Sequence, residues 1–510
     1  MSRAASAAAF AALVIIATAR IVSTYSVFND TVDESWHIGC GMVWLSGRVY
    51  DCNPEHPPLA RGMMAIGPYL AGGRDAGENN APEGRALLNS TGNFDRMLAL
   101  ARIGILPFFW LAALTVYLWT RRDFGEPAAF FATVCFTMFP AVLGHAGLAT
   151  TDMPATASIG AGFFTMLLWL ERPEWKRALL FGAALALAVL SKFSSIAFLP
   201  SAALIALLCY LAQRKPVWEP MRRAAPSAVI VILTAAICIW AGYRFHFNRV
   251  PAPELWQGIA DVRAHNGLGH PGYLLGQYGE HGWWYYYPVA MGVKTPLALL
   301  ALIAIGAIAC WKRRALTPLA FAAGMMAFGA IFGHINLGIR HILPAYVGLC
   351  VAAGAGAAWL WSRGLVWRAT SAALLAYLIV ASVRSHPDYL AYFNEIAGDH
   401  PENFLVDSDL DWGQDMKRLA ARMKQLNVKE LALEPFNGAR VEELQNEGQF
   451  PATHPLDPHA PSHGWNAASI TRLKLFRLGT FKSNPPVDLW TDHLAPTERV
   501  GKGVFLWYVP

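Results

Sequence analysis

Long apolar runs dominate the first three-quarters of the chain, at 7–28, 97–119, 127–144, 153–170, 178–191, 196–212, 225–243, 288–310, 315–333, 341–361 and 369–383. A helix that crosses a bilayer needs about 20 apolar residues, and most of these runs reach that length. The fifth and sixth are shorter and flank SKFSS, which fits a hairpin turning near one membrane face. The pattern predicts about eleven crossings. Beyond position 383 the periodicity changes. NFLVDSD reads as a strand, GQDMKRLAARMKQL as an amphipathic helix, KELALEPF as a second strand and GVFLWYV as a third. Strand, helix and strand in succession imply a small parallel sheet. The predicted architecture is a polytopic α-helical membrane domain over 1–383, with amphipathic helices in an outer loop at 29–95. A small extracytoplasmic α/β domain follows over 384–510.

Composition agrees with a bilayer setting. Charged residues make up 15% of the 510 positions and hydrophobic ones 55%, against about 25% charged in soluble domains. The net charge of +6 is small and sits mostly in short loops, which argues against a nucleic-acid partner. Those loops orient the chain. Arg121-Arg122, Arg172/Lys176/Arg177, Arg214-Lys215 with Arg222-Arg223, Lys312-Arg313-Arg314 and Arg363/Arg368 alternate with poorly basic loops, so they are cytoplasmic by the positive-inside rule. The other loops and the tail then face outward. The start, MSRAASAAAFAALVIIATAR, has signal-peptide features, but its apolar stretch continues to Phe28 and reads as a first membrane helix. Of seven cysteines, five lie in apolar runs, and Cys40 and Cys52 share an outer loop, where pairing is one option.

The outer loops carry the candidate chemistry. NDTVDESWHIGCGMVWLSG places Asp33 and Glu34 just past the first apolar run, with His37 one turn beyond Asp33. That spacing allows a base and its orienting partner, two ligands of one metal, or an aspartate that only caps a helix. NPEHPPLAR follows with His56 and Arg61, on a helix expected to lie in the outer interface with Arg61 snorkelling. GHAGLATTDMPATA holds His145 and Asp152, the latter in a helix-capping context, and GHINLGIRHILP holds Arg340 and His341. Lys192 and Lys294 complete a set of cations that could snorkel singly or hold a phosphate together. Arg20 and Arg102 lie in the outward halves of their helices, where an arginine is expected to pair with acids. In the tail, DSDLDWGQD spaces Asp407, Asp409 and Asp411 like a calcium loop. Gly413 falls one place late and position 418 is arginine, so for these acids and Asp415 helix capping and surface exposure are the expected roles, with acceptor or cation binding as the alternative.

Taken in order, the acidic pair, EHPPLAR, TDMP, LGIRHILP and DSDLDWGQDMKRL resemble the polyprenyl-phosphate-dependent GT-C glycosyltransferases (family 39-like), near the protein O-mannosyltransferases and the lipid A aminoarabinose transferases. The resemblance spans the whole membrane part. It implies sugar transfer from a polyprenyl-phosphate donor to a glycan, lipid or protein hydroxyl, with membrane lipids as surroundings. It also implies Asp33 as catalytic base with Glu34 beside it, and Asp152 as the second outer-loop acid. His56 stands where members of the group often carry a basic residue. A phosphate leaving group needs cations rather than a proton donor, so one carboxylate suffices for inversion. Lys192, Lys294, Arg340, His341, His56 and Arg61 are the candidate donor-phosphate set, with His37, His145 and Arg102 in support. A divalent cation, Mg or Mn, between Asp33 and Asp152 is allowed by the resemblance. The competing classes are a transporter or flippase of lipid-linked glycans, and a metal-dependent membrane hydrolase on Asp33, His37, His56, His145 and Asp152.

Overall fold

A computed structural model describes residues 3–74, 81–477 and 488–510. Positions 75–80 of the expected outer loop and 478–487 of the expected tail lie outside it. Six described helices are long and apolar enough to cross a membrane: Ala4–Val22, Phe94–Phe124, Asp152–Glu171, Ser195–Ala212, Trp218–Gly242 and Leu365–Arg384. Two broken pairs, Glu126–Thr137 with Pro140–Ala146 and Tyr286–Lys294 with Leu297–Lys312, bend by 63° and 117° and raise the number to eight. Pro140 and Pro296 stand at the breaks, where a residue without an amide proton cannot continue the ladder. The chain is a multi-pass helical membrane protein. Eleven spans are reached only by adding Trp175–Ser191, Thr317–Phe332 and Ala345–Trp361, which have 17, 16 and 17 residues. The expected hairpin around SKFSS is replaced by two helices with different neighbours. Trp175–Ser191 packs on Trp218–Gly242, and Ser195–Ala212 packs on Thr317–Phe332.

Ala345–Trp361 is buried along nearly its whole length and acts as the central post. Its sequence, AYVGLCVAAGAGAAWLW, explains the position, because small residues let neighbouring backbones approach closely. A Cβ on Gly354 would lie 2.6 Å from the Ala128 carbonyl oxygen, and one on Gly356 would lie 2.7 Å from that of Leu302. Larger rings, among them Trp119, Phe163 and Phe321, fill the space between the remaining helices.

The outer loop folds onto this bundle as helices Val32–Leu45, Pro58–Leu70 and Ala81–Asn89. A Cys40–Cys52 disulfide ties the first of them to the loop that leads into the second. Such bonds persist in oxidising compartments. In intact membranes Cys40 and Cys52 are therefore expected to resist thiol alkylation until a reductant is added, as read by mass spectrometry. Ready alkylation of both without reductant would overturn the pairing and count against an outward-facing loop.

The tail sheet has five strands in the order Ala452–Pro455, Glu430–Glu434, Gly464–Ser469, Val504–Val509 and Glu498–Val500. The first three are parallel neighbours and the last two add antiparallel, so the sheet is mixed rather than parallel. The helix expected from GQDMKRLAARMKQL is Met416–Gln425, which buries Met416, Leu419, Ala420 and Met423. NFLVDSD does not form a strand. It coils through the 3-10 turns Pro401–Asn403 and Asp407–Asp409, with Asp407 at φ 58°. Carboxylates of this segment accept from backbone amides, as Asp409 does from Ile339 and Asp407 from Ser408.

Candidate active site

Thr31, not Asp33, opens helix Val32–Leu45, and its amide donates to Glu34 Oε2 at 2.8 Å. Glu34 also accepts from the Ala149 amide and from Arg102 Nε and Nη2, all at 2.8 Å. The Glu34–Arg102 pair is buried completely. Glu34 thus lies inside a network that joins the first loop, the second loop and helix Phe94–Ile103, away from Asp33. The sequence reading had placed the two acids together. Arg102 pairs with an acid as expected; Arg20 does not, donating instead to the Ser382 carbonyl at 2.6 Å beneath the Tyr389 ring.

With capping done elsewhere, the Asp33 carboxylate is available. Its side chain is 34% exposed, against 1% for Asp152. Arg340 Nη1 donates to Asp33 Oδ2 at 3.0 Å, and the same nitrogen is 3.8 Å from Asp152 Oδ2. Asp152 also accepts from Lys192 Nζ at 2.7 Å and Thr150 Oγ1 at 3.2 Å, with His145 Nδ1 4.0 Å away. Four separated stretches of sequence therefore converge: the first loop, the second loop, SKFSS and LGIRHILP. Arg340 is held for this sharing by the Leu337 carbonyl at 3.0 Å and by the Trp412 ring, 4.1 Å from its guanidinium carbon. In the sequence the acids of DSDLDWGQD stand out and Trp412 among them does not. An aromatic between acids was the available signal.

Arg61 does not snorkel. It is buried, and its guanidinium donates only to neutral acceptors: His37 Nδ1, Tyr50 Oη, the Cys52 and Asn53 carbonyls and Asn53 Oδ1, at 2.7 to 3.1 Å. His37 therefore carries its proton on Nε2, and it does not pair with Asp33. Burial first, and then Arg61, hold His37 and His56 well below the usual imidazole range. Burial followed by Lys192 does the same for His341, whose Nδ1 is 3.4 Å from Tyr287 Oη. His56 Nδ1 is buried without a hydrogen-bond partner among the described residues, and the cations of this region are Lys192, Arg340 and Arg61. Lys294 is not gathered with them. Its ammonium donates to the Leu390 and Asp409 carbonyls over the Phe393 ring and fastens the tail to the membrane part.

This geometry does not fit a divalent cation. Arg340 Nη1 occupies the space between the two carboxylates, and Lys192 already neutralises Asp152. Among the described residues no three His, Cys, Asp or Glu side chains converge as ligands. The tail acids accept hydrogen bonds from their own chain, with Asp409 Oδ2 buried without a partner among the described residues. Asp409 accepts from the Ile339 amide at 3.1 Å, next to Arg340. Asp411 accepts from Ser469 Oγ and from the Gly413 amide at 3.2 Å. Asp415 accepts from the Lys502 and Gly503 amides at 3.1 and 3.0 Å. All three are buried rather than surface acids.

Burial pushes the Asp411 carboxyl up to about 7, and burial pushes Asp415 up to about 6 against the opposing pull of Arg418. A carboxyl raised on folding binds more protons folded than unfolded, so its stabilisation is full below pH 4 and lost as pH rises through the folded value. Amide exchange across Leu410–Asp415 in the full-length protein is expected to speed up between pH 5 and 8, beyond the intrinsic pH effect. Asp411→Asn should flatten that dependence; an unchanged slope would refute the assignment.

Residues 11–250 match the family model described as dolichyl-phosphate-mannose-protein mannosyltransferase. That stretch includes Asp33, Glu34, Asp152 and Lys192. Over that stretch the chain is similar to a glycosyltransferase family. The fold agrees beyond the matched stretch. ArnT from Cupriavidus metallidurans bound to undecaprenyl phosphate aligns over 97% of each chain with 13% identity and a TM-score of 0.52, and its apo state over 97% of each with 14% identity and a TM-score of 0.50. No curated protein sequence matches the chain. Arg340 and Trp412 lie outside the matched stretch; Arg340 meets Asp33, and Trp412 stacks on Arg340, through the fold.

Proposed function

We propose that this protein moves a sugar from a polyprenyl-phosphate-linked donor to an acceptor hydroxyl of a glycan, lipid or protein, with inversion, on the periplasmic side of a bacterial inner membrane. The observation that carries this reading is the shared guanidinium. Arg340 spans an exposed carboxylate, Asp33, and a buried one, Asp152. Lys192 and Arg340 are the cations that meet these carboxylates, with Asp407 also acting on Arg340 and with Arg61 behind His37. A donor phosphate would be drawn to Lys192 and Arg340, in competition with the acids. As Arg340 turns toward phosphate, Asp33 loses its cation and becomes a better base for the acceptor hydroxyl. The sugar then leaves its phosphate as the hydroxyl attacks from the opposite face, and Asp33 takes the proton. The matched family's description names a dolichyl-phosphate mannose donor, and one structure of similar fold holds undecaprenyl phosphate.

The test is label transfer in membranes supplied with radiolabelled polyprenyl-phospho-sugars. Incorporation that depends on this chain supports the reading. Incorporation from a nucleotide sugar, with none from any polyprenyl-phospho-sugar, would overturn it.

A further inference from the structure

A cavity of about 430 Å³ lies between the C-terminal end of helix Leu365–Arg384, a candidate membrane span, and the tail. The volume falls within the roughly 300–1,000 Å³ of small-molecule sites. Its walls change character with depth. Tyr377, Val380 and Ala381 line the side toward the bilayer, and Arg384, Arg499 and Lys502 the side toward the tail. Val380 and Val383 are exposed apolar side chains of the same helix. The lining shares no residue with the Asp33, Asp152 and Arg340 cluster.

Three features point to a ligand. Arg384 and the Lys502 ammonium engage no carboxylate among the described residues, while Arg499 is turned toward them by the Lys502 carbonyl at 2.6 Å. Tyr392 Oη is buried on the same wall without a hydrogen-bond partner among the described residues, a cost that a bound acceptor would relieve. Glu395 and Asp399 also line the cavity and add negative charge beside the cations. A polar half carrying both signs above an apolar half matches a zwitterionic lipid at head-group depth.

We propose that this cavity binds the phosphoethanolamine head group of a membrane glycerophospholipid. The phosphate lies on Arg384 and Lys502, the ammonium faces Glu395 and Asp399, and one acyl chain follows Tyr377 and Val380. The inference is independent of the sugar-transfer reading.

The test is native mass spectrometry of the full-length, delipidated protein titrated with dioleoyl-phosphatidylethanolamine. A retained one-to-one adduct is expected, with half-saturation about tenfold weaker in Arg384→Gln/Lys502→Gln, from the loss of charge-assisted hydrogen bonds. An unchanged melting temperature of that variant without lipid shows that the fold is intact, since both side chains are exposed. Equal binding of dioleoylglycerol, or no change in the double variant, would overturn the phosphate contact. Equal binding of free phosphoethanolamine would overturn the membrane lipid as the source. Equal binding of dioleoyl-phosphatidylglycerol would overturn the role of the acids.

Discussion

Asp33→Asn is expected to lower sugar transfer by about 10²–10⁴-fold, the usual worth of a positioned general base, with the donor still bound. The amide keeps the shape and accepts one hydrogen bond from Arg340 but cannot take a proton. Arg340 retains Asp152 at 3.8 Å and the Trp412 ring beneath it, so the cleft is not expected to collapse. The fall should appear in kcat, with the KM for the polyprenyl-phospho-sugar changed by only a few-fold, because donor recognition is assigned to Lys192 and Arg340. Removing one negative charge beside Arg340 even favours the phosphate. Membranes carrying wild type and variant at equal abundance, assayed with radiolabelled donor, decide the matter. Normal transfer by Asp33→Asn would remove Asp33 as the base.

Much of this arrangement was legible in the chain, but unevenly. Apolar run length describes the solvent each segment meets, and that information is local, so the membrane helices could be read directly. Asp33, Asp152, Lys192 and Arg340 could be nominated because each is a polar residue at the end of an apolar run. Their convergence could not be read, since residues 33 and 340 meet only through the packing of the helices between them. The same limit explains the errors. Glu34 and Asp33 are adjacent in sequence, yet a helix turns neighbours about 100° apart, sending one into the protein and the other to the cleft. Arg61 and Lys294 look like interface cations by position. Buried acceptors around Arg61, and tail carbonyls around Lys294, come from distant segments. The acids of DSDLDWGQD were expected at a surface. They are buried because the amides of 413, 502 and 503 point at them, a fact of loop conformation rather than of spacing.

The buried Glu34–Arg102 pair sets up the second large effect. Glu34→Gln is expected to destabilise the protein by about 3–5 kcal/mol, because removing one partner leaves the other charge buried and unpaired. The neutral amide also accepts less well from the amides of Thr31 and Ala149, two contacts that lock the first loop onto the second. Glu34→Gln/Arg102→Met removes both charges, and it is expected to recover part of the loss, since the two residues form one unit. Thermal unfolding of the purified protein and its abundance in membranes measure both. Activity separates this structural role from a catalytic one. If Glu34→Gln unfolds as wild type does yet transfers sugar as poorly as Asp33→Asn, Glu34 acts in the chemistry. If instead the single variant is unstable and the double variant regains stability, Glu34 holds the loop on which Asp33 stands.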